Sequence, residues 1–145
     1  MIPIDDIRPL IAALEERLTR PIRFLIIDDE PLCRKLFAMA TPGCEVRPAD
    51  DGKQGMEILR ENPDYFDCVV VDERLPGKPG HLVIKEICDL WPDMFTAWST
   101  DLLSITAEIN KGVGDIGLVW TLPKPVRFAG IQKLLYFIQE RRAVR

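Results

Sequence analysis

The sequence predicts an α/β fold: a doubly wound, five-stranded parallel sheet in the order 2-1-3-4-5, with an extra N-terminal helix. Three observations predict it. Short apolar runs such as Phe24-Leu25-Ile26-Ile27 and Cys68-Val69-Val70-Val71 show no polar alternation, which marks strands buried on both faces. Amphipathic stretches alternate with such runs five times, at roughly 22–27 residues per cycle, a spacing that helical crossovers between parallel strands fill. A chain of 145 residues suits one such domain with a sizeable core.

The elements follow in order. Ile4, Ile7, Leu10, Ile11, Leu14 and Leu18 recur at three- and four-residue steps, so a helix is expected over about 5–19, ended by Pro21. Two readings of its stripe stay open. It covers part of the domain's own surface, or it docks a partner, including a second copy as a homodimer through residues 5–19. Two heptads are too few for a convincing coiled coil. Residues 1–21 form this segment and 22–145 the domain. The strand Arg23–Ile27 ends in Asp28-Asp29-Glu30-Pro31. Pro31 suits a first helical turn, with Leu32, Leu36, Phe37, Met39 and Ala40 as the core face and Pro42-Gly43 as the stop.

Cys44 to Ala49 is the next strand, and Pro48 places it at a sheet edge. Asp50-Asp51-Gly52 opens a helix with Met56, Ile58 and Leu59 inward, stopped at Asn62-Pro63. The strand Cys68–Val71 delivers Asp72 to a loop with Pro76-Gly77. A helix follows over His81–Trp91, its stripe Leu82, Ile84, Ile87, Cys88 and Trp91. Met94 to Ser99 is a strand, and Thr100 or Asp101 caps a helix with Leu102, Leu103, Ile105 and Ile109, ending at Gly112. After the loop Gly112–Asp115, Leu118 to Leu122 is the fifth strand. A last helix, Phe128–Arg142, buries Ile131, Leu134, Leu135 and Ile138.

Composition excludes several classes. The net charge of −4 offers no basic footprint for nucleic acid or an anionic membrane. No apolar run approaches the roughly 20 residues that span a bilayer. Asp5, Asp6, Glu15 and Glu16 are foreign to a secretion signal. Four scattered cysteines without C-x-x-C spacing, and one histidine, argue against zinc and for reduced thiols in a cytoplasmic protein. No G-x-G-x-x-G follows the first strand, which disfavours dinucleotide binding.

In the predicted order strands 1 and 3 are neighbours, so Asp28, Asp29 and Asp72 end beside one another. Their mutual repulsion calls for a hard divalent cation, with Mg²⁺ the natural fit to a few carboxylate oxygens. Strand 4 contributes a hydroxyl, Ser99 or Thr100, and the fifth strand ends in Lys124 between two prolines. Acid, cation, hydroxyl and ammonium together suit phosphoryl transfer to a carboxylate, with Asp72 as nucleophile.

Four motifs in order carry a resemblance: Phe24 through Pro31, Asp50-Asp51-Gly52, Asp67 through Asp72 with Pro76-Gly77 and Gly80, and Leu122-Pro123-Lys124-Pro125. Over about residues 22–142 the chain resembles the receiver domains of two-component response regulators, which have a flavodoxin-like fold. The resemblance implies that Asp72 is the phosphoacceptor. It also implies that Asp29 binds Mg²⁺ directly, Asp28 partly through water, and Arg74 through its main-chain carbonyl. The phosphoryl donor is then a histidine kinase or a phosphotransfer protein. Three departures stand out. The switch hydroxyl is Ser99 or Thr100. The stretch Gly112–Leu122 is about four residues longer than is usual in the family. Thr121 occupies the usual aromatic position, with Trp120 beside it.

The bland readings of lone residues are a solvated His81 opening a helix, packing roles for Trp91, Trp98 and Trp120, and a solvent-exposed Arg74. The alternative for Arg74 is a role in acyl-phosphate lifetime. The expected function is a stand-alone signalling switch, not an enzyme, that changes its affinity for an unknown downstream protein when Asp72 is phosphorylated. The alternative is a non-phosphorylatable receiver-like interaction module. A carboxylate-nucleophile phosphatase would need D-x-D where Asp72-Glu73-Arg74 stands.

Overall fold

Apolar strands without alternation need cover on both faces, and the helices provide it. The computed structural model describes residues 3–101 and 119–144. Its elements are α1 (Ile4–Thr19), β1 (Arg23–Ile27), α2 (Pro31–Ala40), β2 (Glu45–Ala49), α3 (Gly52–Glu61), β3 (Cys68–Asp72), α4 (Gly80–Leu90), β4 (Thr96–Thr100), β5 (Val119–Pro123) and α5 (Phe128–Val144). The strands form one parallel sheet in the expected order β2-β1-β3-β4-β5. β2, with Pro48, lies at an edge. The expected helix around Leu102–Ile109 and the loop Gly112–Asp115 lie outside the described residues. β4 starts at Thr96, two residues later than the pattern suggested, and α5 reaches Val144.

Side chains alternate across a strand, so each strand divides its residues between two cores. Phe24, Ile26, Cys68, Val70, Phe95, Ala97 and Leu122 pack under α2 and α5, against Phe37, Ile131, Leu134 and Ile138. Leu25, Ile27, Val69, Val71 and Trp98 face the other way, against Met56 and Leu59 of α3 and Val83, Ile84 and Ile87 of α4. Continuing the first set along each strand leads to Asp28, Asp72, Ser99 and Lys124. The core under α2 and α5 thus ends, at the carboxyl edge, in the polar residues of the predicted site.

Two expectations about helix faces are corrected. In α2 only Phe37 is buried, edge-on against Phe24 at 5.1 Å between ring centroids, while Leu32, Leu36 and Met39 are exposed. In α4, Leu82 is exposed and Val83 takes the inward place. α1 has no fully buried residue, although its stripe is regular. Its C-terminal end is nevertheless tied down. Arg20 forks onto buried Asp67 at 2.8 and 2.9 Å, and Asp67 also accepts the Arg23 N–H at 2.9 Å. Burial alone would raise the Asp67 carboxyl; these donors outweigh it and hold it below its ordinary value.

Gly80, first residue of α4, lies against the end of β3. A Cβ there would stand 2.2 Å from the Asp72 carbonyl oxygen, a contact with backbone that cannot swing away. Gly80→Ala is expected to destabilise the chain by about 1–3 kcal/mol through this overpacking, read from urea unfolding. Unchanged stability would show that α4 can shift freely from β3.

Candidate functional site

Parallel strands converge their carboxyl ends, and β1 and β3 are direct neighbours. Asp28 follows β1 and Asp72 closes β3; both are buried, whereas Asp29 is exposed. Carboxylate oxygens of Asp28, Asp29 and Asp72 all lie within 4.8 Å of one another. Asp28 is held by its own loop, its Oδ1 accepting the Glu30 N–H at 2.9 Å. Arg34 steadies the same loop, donating to the Asp28 carbonyl at 2.8 Å while pairing with Asp50.

Lys124 reaches back from the end of β5, its Nζ 2.6 Å from Asp72 Oδ1. Oδ1 is buried with no aligned hydrogen-bond donor, and the ammonium at contact distance is the charge that answers it. The loop carrying Lys124 is pinned by its own N–H on the Thr100 carbonyl at 3.0 Å, and the Lys124–Pro125 peptide is cis.

The electrostatics follow from burial of like charges. Burial pushes Asp72 up; Lys124 opposes this, and the charges of Asp29 and Glu30 add to it, leaving the carboxyl above its ordinary value. Burial also raises Asp28, against the pull of the Glu30 N–H and with the Asp72 charge adding to the rise. Lys124 loses by burial but gains more from Asp72, so it holds its proton more tightly than a free lysine.

Register separates the two candidate hydroxyls. Asp72 lies opposite Ser99 in the β3–β4 register, so both side chains emerge on the same face. Ser99 lines a cavity of about 510 Å³ with Asp28, Asp72 and Lys124. Thr100 belongs to the opposite face and is buried there. Cys33 also lines this cavity. Burial, and a thiol hydrogen bond to Glu30 at 3.2 Å, push Cys33 up to about 11, so it stays a neutral thiol at neutral pH. Arg74 lies in the loop after β3, its exposed guanidinium 3.3 Å from Asp101.

Glu73 went unnoticed in the sequence. One residue past Asp72, it points to the opposite face, where its buried carboxylate accepts the Trp98 indole N–H at 3.0 Å and the His81 backbone N–H at 2.8 Å. His81 Nδ1 lies 2.7 Å from the same carboxylate, which corrects the expectation that this histidine is merely solvated. Glu73 main-chain groups bond Ser99 and Gly80, each at 3.0 Å. The residue thereby joins β3, β4 and the start of α4 directly behind the acid cluster. An Asp-Glu pair closing an apolar strand is the only local signal; its partners are 8 and 25 residues away.

Comparisons with known proteins follow this geometry. A family model for the response regulator receiver domain matches residues 24–136. A two-component response regulator from Oryza sativa subsp. indica is 28% identical over 126 residues, covering 83% of this chain but 17% of that protein, so the chain spans only a small part of its length. One from Arabidopsis thaliana is 28% identical over 116 residues, covering 79% of this chain and 81% of the relative. A response regulator receiver domain protein from Clostridium thermocellum superposes with a TM-score of 0.72 at 22% identity, over 85% of this chain and 98% of that one. The Vibrio cholerae chemotaxis response regulator has a TM-score of 0.68 at 22% identity, over 81% and 98%. These two structures share the fold.

A carboxyl with a raised folded value contributes stability only while protonated, and loses that contribution as pH climbs through the raised value. Ionised Asp28 is therefore a net cost in metal-free protein at neutral pH. Asp28→Asn, which keeps the acceptor for the Glu30 N–H, is expected to stabilise the metal-free chain at pH 7, and the gain to shrink as pH falls and the Asp28 carboxyl takes up its proton; urea unfolding across pH reads both. Glu73→Ala leaves the Trp98 indole and a helix N–H without their acceptor, and is expected to cost about 2–3 kcal/mol. Glu73→Gln retains an acceptor and should cost less than half of that; equal losses would deny the clamp.

Proposed function

The chain belongs to the response regulator receiver domain family, and from that premise we propose that Asp72 accepts a phosphoryl group and that the acyl phosphate changes which protein the chain binds. The observation that carries this is the Lys124 ammonium 2.6 Å from a buried Asp72 carboxylate, beside two further acids. The Asp72 oxygen attacks phosphorus, and the bond to the donor's leaving nitrogen breaks as the carboxyl–phosphate bond forms. A histidine kinase or phosphotransfer protein is the donor class. Lys124 then pairs with a phosphoryl oxygen. Ser99, in register with Asp72, supplies the hydroxyl donor, rather than Thr100 on the far face.

The donor set fits a magnesium ion. It is all oxygen, it is clustered within 4.8 Å, and it includes a buried carboxylate oxygen with no aligned donor. Asp28, Asp29 and Asp72 would hold it, with the Arg74 carbonyl as the further ligand that family membership suggests. When bound, Mg²⁺ would supply positive charge for the phosphoryl oxygens. The chain's own groups do the rest: Asp72 is the nucleophile, Lys124 neutralises, and Glu73 holds the loop in place.

The switch works as a binding protein in the cytoplasm, with its catalysis confined to its own phosphorylation and slow dephosphorylation. No described helix is long and apolar enough to cross a membrane. Its partners are the phosphoryl donor and an unidentified downstream protein. Phosphorylation can shift partner affinity only as far as the two states differ in their contacts.

Incubation with acetyl phosphate and Mg²⁺ is expected to add one phosphoryl unit by intact-mass spectrometry. The gain should disappear in Asp72→Asn and on chelation, and Lys124→Ala should slow it at least about ten-fold. No gain in the unsubstituted chain, or equal gain in Asp72→Asn, would overturn the proposal and leave the non-phosphorylatable interaction module.

A further inference from the structure

α1 is the described helix with no buried residue, yet it is built as an amphipathic one. Ile4, Leu10, Ile11 and Leu14 are 63%, 68%, 48% and 38% exposed. The arm is not loose at its base. Buried Arg142 donates to the carbonyls of Arg17 and Arg20, and Gln139 donates to that of Leu18 at 3.1 Å. α5 thus caps the last turn of α1; Ile7 and Leu18 of the stripe are half-buried, while Ile4, Leu10, Ile11 and Leu14 stay exposed.

The charges beside the stripe name its occupant. With 3.6 residues per turn, Asp6 and Arg17 fall along one flank and Arg8 and Glu15 along the other. Each flank therefore carries one acid and one base. Related by a two-fold axis, antiparallel helices bring like flanks together with the direction reversed. Asp6 then meets Arg17 of the second copy, and Arg8 meets Glu15. Both pairs share one centre, midway between Ile11 and Ala12. Within a single chain the Arg8 guanidinium makes only a 4.0 Å, solvent-exposed approach to Asp5.

We propose that α1 packs antiparallel against α1 of a second copy, burying Ile4, Leu10, Ile11 and Leu14 at the interface. A parallel pair also sets acids near bases, but it crowds Asp5 and Asp6 of both copies at one end and aligns the helix dipoles. The antiparallel pair sets those first-turn acids beside the basic last turn of the other helix. A contact between two helices of about 24 Å is smaller than a standard stable interface, so the dimer forms in a concentration-dependent way. It goes beyond phosphoryl transfer and does not depend on it.

Sedimentation equilibrium of the full chain, from low to high micromolar, is the test. A monomer–dimer equilibrium is expected, with the same midpoint in Asp72→Asn. Ile11→Glu should move that midpoint upward at least about ten-fold, with circular dichroism confirming a folded domain. Arg8→Glu and Glu15→Arg should each weaken the dimer, and the double swap should restore it to within about three-fold. In a parallel pair the same double swap would face Asp6 and Arg17 with like charges and weaken the dimer further. A chain monomeric throughout, a dimer indifferent to Ile11→Glu, or a double swap weaker than either single variant would each overturn the proposal.

Discussion

The constraint on which this structure turns is negative charge brought into a partly desolvated edge faster than the protein neutralises it. A parallel sheet converges its strand ends, and adjacent β1 and β3 both run out into carboxylates. One ammonium, Lys124, answers three acids. Burial raises both Asp28 and Asp72 despite that ammonium. The chain therefore keeps a site whose uncompensated negative charge an entering cation would relieve. The stabilisation forgone at this edge is recovered in the two cores beneath it, where every described residue of β3 is buried.

Two consecutive residues divide the work because strands alternate. Asp72 faces α2, α5 and the open cavity, while Glu73 faces α3, α4 and a closed apolar core. A buried carboxylate is costly unless its acceptors are used. Glu73 uses its own on an indole, a helix N–H and an imidazole. Its neighbour leaves an oxygen without an aligned donor. The satisfied acid serves the packing of the fold, and the acid one position earlier is the one for which phosphoryl acceptance is proposed. Gly80 completes the arrangement, since only a residue without Cβ lets α4 close on the Asp72 carbonyl.

Much of the fold was legible because it rests on local patterns. Strand identity came from unalternated apolar runs, order from crossover spacing, and the acid cluster from what ended those runs. What escaped depends on register and distance. Choosing Ser99 over Thr100 requires knowing that Asp72 lies opposite Ser99, and a one-residue slip would reverse it. The Glu73 contacts with His81 and Trp98 span loops whose paths no local pattern encodes. The exposed side of α2 misled for another reason: helical spacing reports an amphipathic face, not how much of it the sheet can cover. One aromatic pair, Phe24 with Phe37, carries the buried part of that docking.

The same limit applies more strongly to α1, whose stripe is regular but in which no residue is fully buried. A 16-residue helix is marginal in water without tertiary packing, so its persistence must be explained by its ends or its partners. The C-terminal end is accounted for: Arg142 and Gln139 satisfy carbonyls of the last turn that would otherwise face solvent, and Arg20 ties the exit to Asp67. Among the described residues the N-terminal half has no such anchor. Pro3 caps it without a side-chain hydrogen bond, and Pro9 removes one donor from within. Apolar side chains at Ile4, Leu10 and Ile11 cannot stabilise that half while they stand in water. They can once another helix of matched charge covers them, and the order of acids and bases along the flanks makes the helix its own complement.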